Sequence, residues 1–127
     1  MNEYTKRKLN LLIHLAKIDG KFHKAERALL EEFVIEEGFN VKDFRILVAA
    51  GEQTHDVHLI DDKKEMLFLA IKLMKADHII DKRELEFCKE IATKLGYDSG
   101  AVEAYADQEL DRESFDNTID RWLLEAS

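Results

Sequence analysis

Laid against itself at an offset of 58, the chain aligns residues 9–40 with 67–98 without a gap, and ten of those 32 positions are identical. Composition alone gives roughly two. The identities include Leu9/Leu67, Ile13/Ile71, Leu15/Leu73, Asp19/Asp77, Lys24/Lys82, Glu26/Glu84 and Gly38/Gly96. A match this long implies one supersecondary unit used twice, and a unit this short buries its apolar face only against a neighbour. Two copies are too few for an open solenoid. The expected fold is therefore all-α, a single domain over 1–127. Repeat 1 spans about 5–51, a linker 52–61, repeat 2 about 62–109, and a C-terminal helix 112–125.

Each repeat reads as three helices. Leu9, Leu12, Ile13 and Ala16 recur at helical spacing, and Asp19-Gly20 closes that helix. A second helix runs from about 24 to 37 with Leu29, Leu30 and Phe33 inward and Gly38 as its stop. Asn40 caps a third, through Ala50. In the second repeat, Asp62 with Glu65 and Asp81 with Glu84 have capping-box spacing. Gly96 stops the fifth helix, and Asp98 caps a sixth to about 109. Phe115, Ile119, Trp122 and Leu123 place an apolar stripe on a seventh. No strand-like alternation competes, so seven helices are expected. The aligned pairs Leu12/Ala70, Leu15/Leu73, Leu29/Phe87 and Phe33/Ile91 are the candidate core.

The net charge is −8, with −7 of it in residues 98–127. Such a surface repels phosphate backbones and anionic lipid, which argues against nucleic-acid binding and for a cation or a basic protein face as partner. No apolar run reaches 18 residues, so no direct membrane insertion is expected and a cytoplasmic protein is the default reading. The single Cys excludes a cysteine-based zinc module. Cys88 aligns with Leu30 and reads as a core residue; His14 aligns with Lys72 and reads as solvated.

Both repeats put an Asp at the end of one helix and a Glu in the first turn of the next: Asp19 with Glu26, and Asp77 with Glu84, the second corner adding Asp81. Carboxylates gathered at a helical corner repel unless a cation relieves them, and oxygen ligands suit Ca²⁺, Mg²⁺ or Mn²⁺. Asp19, Glu26, Asp77, Asp81 and Glu84 are the candidate metal ligands, as one shared site or two half sites. Helix capping accounts for the same acids without any metal, with Lys24 and Lys82 as neutralising neighbours. The spacing is not that of an EF-hand, because Gly20 directly follows Asp19 and Glu26 is only the eighth residue.

The segments KIDGKFHKAE at 17–26 and KADHIIDKRE at 75–84 resemble the tellurite-resistance TerB-like family. The resemblance covers roughly residues 5–110. It implies an internally duplicated all-helical domain without enzymatic activity, working as an interaction module in a bacterial stress response. It also implies a linked divalent metal, with the family's acidic positions falling on Asp19, Glu26, Asp77 and Glu84. His78 stands where the family's second Asp-Gly has glycine.

Two other readings follow from the residues. His55-Asp56, with His23 upstream and Asp77 downstream, has the order of a metal-dependent HD-type phosphohydrolase, and His55 with His58 forms a possible transition-metal pair. A purely structural helical adaptor, its acids serving only as caps, needs no ligand at all.

Overall fold

The computed structural model describes residues 2–18, 20–50 and 60–124. Among them the chain forms seven helices: α1 Glu3–Lys17, α2 Lys24–Glu36, α3 Val41–Ala49, α4 Lys63–Met74, α5 Lys82–Lys94, α6 Gly100–Ala106 and α7 Arg112–Thr118. A 3-10 turn, Ile119–Trp122, follows α7. The described residues contain no strand, only one isolated bridge between Tyr97 and Leu123. None of their helices is long and apolar enough to cross a membrane.

Helices α1 and α4 form the centre. Leu9, Leu11, Leu12 and Leu15 of α1 and Leu67, Ala70, Ile71 and Leu73 of α4 are all buried. The buried positions run around most of each helix because α1 packs against α2, α4 and α5, while α4 also meets α6 and α7. Of the four candidate core pairs, Leu12/Ala70, Leu15/Leu73 and Phe33/Ile91 are buried, whereas Leu29 and Phe87 are only half-buried at the margin. Helix α2 turns Leu30, Phe33 and Val34 inward, and α5 turns Cys88, Ile91 and Ala92. His14 differs from its solvated expectation: it is half-buried, with its ring 4.6 Å from that of Phe87 on α5.

Helix boundaries follow local chemistry. Asn40 accepts from the Lys42 N–H at 2.8 Å, and Asp62 from the Glu65 N–H at 3.3 Å. Gly38 and Gly96 take φ of 81° and 96°. There the Phe39 N–H bonds the Val34 carbonyl, and the Tyr97 N–H the Ala92 carbonyl, which satisfies the last turns of α2 and α5. Helix α5 begins and ends 58 residues after α2. Lys17 and Lys75, also 58 apart, reach the ends of α3 and α6. The Lys17 ammonium donates to the Val48 carbonyl at 3.1 Å, and that of Lys75 to the Tyr105 carbonyl at 2.9 Å and the Gln108 carbonyl. A cation there satisfies orphaned carbonyls and complements the negative end of the helix dipole.

Two C-terminal elements are shorter than their sequence pattern suggests. Helix α6 starts at Gly100, whose N–H is taken by the Asp98 side chain at 2.8 Å, and stops at Ala106. The helix expected over 112–125 ends at Thr118 and tightens into the 3-10 turn. Beyond it the backbone pairs with the turn after α5: the Asp98 N–H donates to the Trp122 carbonyl at 2.6 Å, and the Leu124 N–H to the Gly96 carbonyl at 2.9 Å. These outside partners replace the bonds that another helical turn would have made.

Candidate metal centre

The turn after α4 stands beside the start of α2. Asp77, three residues past the end of α4, divides its two oxygens. Oδ1 accepts from the Ile79 N–H at 3.1 Å, a local turn typical of Asp, while Oδ2 lies 3.5 Å from His23 Nε2. His23 is the N-cap residue of α2 in extended conformation, and its backbone N–H donates to Glu26 Oε1 at 3.2 Å. Glu26, in the first turn of α2, is 1% exposed. Ligand atoms of His23, Glu26 and Asp77 all lie within 4.8 Å of one another. The group therefore joins two residues of the first corner to one of the second.

A nitrogen and two carboxylate oxygens form a chemically competent donor set. Ligand distances of about 2.0–2.2 Å put donors roughly 3–3.5 Å apart around a small divalent ion, so the three side chains would have to draw in by about 1 Å to hold one. The imidazole favours Mn²⁺ or Zn²⁺ over Ca²⁺ or Mg²⁺, which prefer oxygen throughout.

The other acids have different surroundings. Asp81 caps α5, accepting from the Arg83 N–H at 2.8 Å and from Arg83 Nε at 3.2 Å, and these bonds hold its carboxyl below the usual range. Glu84 is buried in the first turn of α5 and lies outside the three-residue group. Burial, with the Glu84 carboxylate nearby, pushes the Cys88 thiol up to about 12, so Cys88 is no nucleophile near neutrality. Asp19 lies outside the described residues, as do His55, Asp56 and His58. Lys24 and Lys82 are exposed and make no ion pair among the described residues, so the neutral-or-cationic neighbour of Asp77 is His23.

His23 is the member that the acidic pattern missed. One signal was available: at the 58-residue offset His23 lies over Asp81, so both corners carry a potential ligand at that place. It is obscured because an imidazole and a carboxylate look unrelated until a metal or an ion pair is considered.

His78, next to Asp77, has φ of 64°. Gly20, its counterpart at the offset, has φ of 87° and meets no strain. A left-handed conformation costs a residue with a Cβ about 1–2 kcal/mol. His78→Gly is accordingly expected to raise stability by up to about 1 kcal/mol, the relief being partly offset by the entropy of a more flexible unfolded chain. Urea denaturation checks this, and a clear loss of stability would mean that the His78 side chain holds the turn.

No protein-family model, no curated protein and no solved structure matches this chain.

Proposed function

We propose that this chain is a non-enzymatic, TerB-like interaction module of a stress response, cytoplasmic, holding a divalent cation where its two helix corners meet. The observation that carries the reading is the convergence of His23, Glu26 and Asp77 from two corners onto one small volume. The family resemblance rests on residues 17–26 and 75–84, the segments that contribute these three ligands. The proposal includes the internal duplication. The matched ends of α2 and α5, the paired glycine stops and the equivalent Lys17 and Lys75 bonds support it. Under that symmetry the sequence equivalents of His23, Glu26 and Asp77 are Asp81, Glu84 and Asp19.

Function on this reading is regulatory or adhesive, not chemical. The bound ion would hold α2 against the end of α4 and so fix the relative placement of two helical hairpins. Because the ion binds only the folded chain, it stabilises by about 2.7 kcal/mol at a hundredfold excess over Kd, or several degrees in Tm. Mn²⁺ and Zn²⁺ are expected to raise Tm by this amount and Ca²⁺ and Mg²⁺ by less, and His23→Ala with Asp77→Asn should abolish the rise. A flat response to all four ions would end the metal reading.

One observation favours the structural adaptor instead. The His23–Asp77 pair at 3.5 Å and the His23 N–H bond to Glu26 already give these groups partners. Proximity of His23 to Asp77 also brings together the outer two positions of the HD-type order, so phosphatase and phosphodiesterase assays with Mn²⁺ belong beside the titration.

A further inference from the structure

A cavity of about 350 Å³ opens between α6, α7 and the 3-10 turn, a volume in the range that small-molecule sites occupy. It shares no lining residue with the candidate metal centre. Tyr105, only 5% exposed, forms one wall. The Thr118 hydroxyl donates to the Ser114 carbonyl at 2.7 Å, which uses its one proton, so the Tyr105 hydroxyl is the donor in the contact between the two side chains. Trp122 forms another wall and is held from two directions. Its carbonyl accepts from the Asp98 N–H, and its ring edge lies against Gly100, where a Cβ would come within 3.2 Å of it. These walls are fixed by contacts made without a ligand, and such preorganisation lowers the cost of binding one.

The chemistry of the lining selects the ligand. Arg121 carries the only formal charge on it. The Arg121 side chain is exposed and makes no hydrogen bond or ion pair among the described residues. Residues 98–124 hold eight acids, and none of them lines the cavity. A guanidinium is a planar fork of N–H donors that matches a carboxylate bidentately. Trp122, half-buried and next in sequence, borders the same space, and Ala104 adds apolar surface. An aromatic ring packs on an indole in offset or edge-on geometry. We propose that this cavity binds a small aromatic carboxylate, with its ring on Trp122 and its carboxylate on Arg121. The inference goes beyond the interaction-module reading and needs neither the cation nor a protein partner.

The probe is 2-naphthoate. Three analogues accompany it: 2-naphthamide removes the charge, 2-naphthylmethylammonium reverses it, and cyclohexanecarboxylate removes the aromatic ring. Trp122 is the chain's one tryptophan, so its indole N–H gives a single NMR resonance that reports on the site directly. In about 0.15 M salt with EDTA, 2-naphthoate is expected to move that resonance saturably, with a Kd of about 0.1–1 mM and at least about tenfold tighter than each analogue. Amide shifts are expected at Tyr105, Gln108 and Thr118. Arg121→Gln should weaken binding by about tenfold or more, and Arg121→Lys, which keeps the charge but loses the fork, by less. Ala104→Leu extends a side chain into the cavity and should also weaken binding by about tenfold. Arg45→Gln, the same charge change on an exposed position of α3, should leave it within about twofold. Arg121 and Arg45 are both exposed, and unchanged melting temperatures show that their variants fold. Equal binding of the amide, tighter binding of the ammonium, shifts only elsewhere, or indifference to Arg121→Gln would overturn the proposal. Because EDTA is present throughout, these results leave the ion titration untouched, and a flat ion titration leaves naphthoate binding untouched.

Discussion

Phe115→Ala is expected to lower folding stability by about 3–5 kcal/mol, the range for deleting a fully buried phenyl ring. Phe115 is fully buried and is the only buried residue of α7. Its ring stands 5.1 Å from that of Phe68 on α4, in edge contact, and 5.0 Å from that of Tyr105 on α6. Aromatic pairs in such geometry add about 0.5–1.5 kcal/mol each beyond the area they bury. The α7 backbone has few other anchors: the Arg112 side chain over the Phe68 ring, paired with Glu65, and the Tyr105–Thr118 hydroxyl contact. Against a total stability of about 5–15 kcal/mol for an ordinary domain, such a loss brings the variant near its unfolding midpoint. Guanidinium denaturation followed by helical circular dichroism measures it. A loss under about 1 kcal/mol would show that α7 is dispensable to the core.

A second large effect is expected at Lys8. This residue is 5% exposed, an unusual place for an amine. Its ammonium lies 4.5 Å from the centre of the Tyr4 ring and 5.4 Å from that of Phe33, with Glu37 Oε1 at 3.3 Å. Burial of the stem contributes about 0.8 kcal/mol per methylene, and each ring adds about 0.5–1 kcal/mol of cation–π attraction. Lys8→Ala should therefore cost about 2–4 kcal/mol. Lys8→Met keeps the stem while discarding the charge, and it frees Glu37, half open to water, to be solvated. It should stay within about 1 kcal/mol of the parent, since a buried ion pair rarely outperforms an apolar replacement of similar volume. If Lys8→Met were as damaging as Lys8→Ala, the charge and not the stem would be the stabilising element.

How far the sequence is readable depends on the range of the interaction involved. Caps and stops were legible at Asn40, Asp62, Gly38 and Gly96, because each is decided within about five residues by orphaned N–H and carbonyl groups. The inward faces at Leu12, Leu15, Ala70 and Leu73 were legible because a helix repeats every 3.6 residues. Leu29 and Phe87 read as core from the same period but stand at its edge, since period gives the side of a helix and not how far its neighbour extends. The last turns of α7 were misread for a longer-range reason. The Ile119–Leu123 stripe fits a helix, yet the Trp122 carbonyl and the Leu124 N–H find partners at Asp98 and Gly96.

The candidate centre divides the same way. By itself the sequence determined an all-helical chain with acids at two similar corners, because helix caps and apolar periods are local chemistry. Which corner residues meet was decided only by tertiary structure. Packing of α2 against the central α1 and α4 brings His23 and Glu26 to Asp77, and leaves Asp81 bonded to Arg83 at its own helix end. Distances between elements dozens of residues apart follow from how side chains fill the space between helices, and no local pattern encodes that filling.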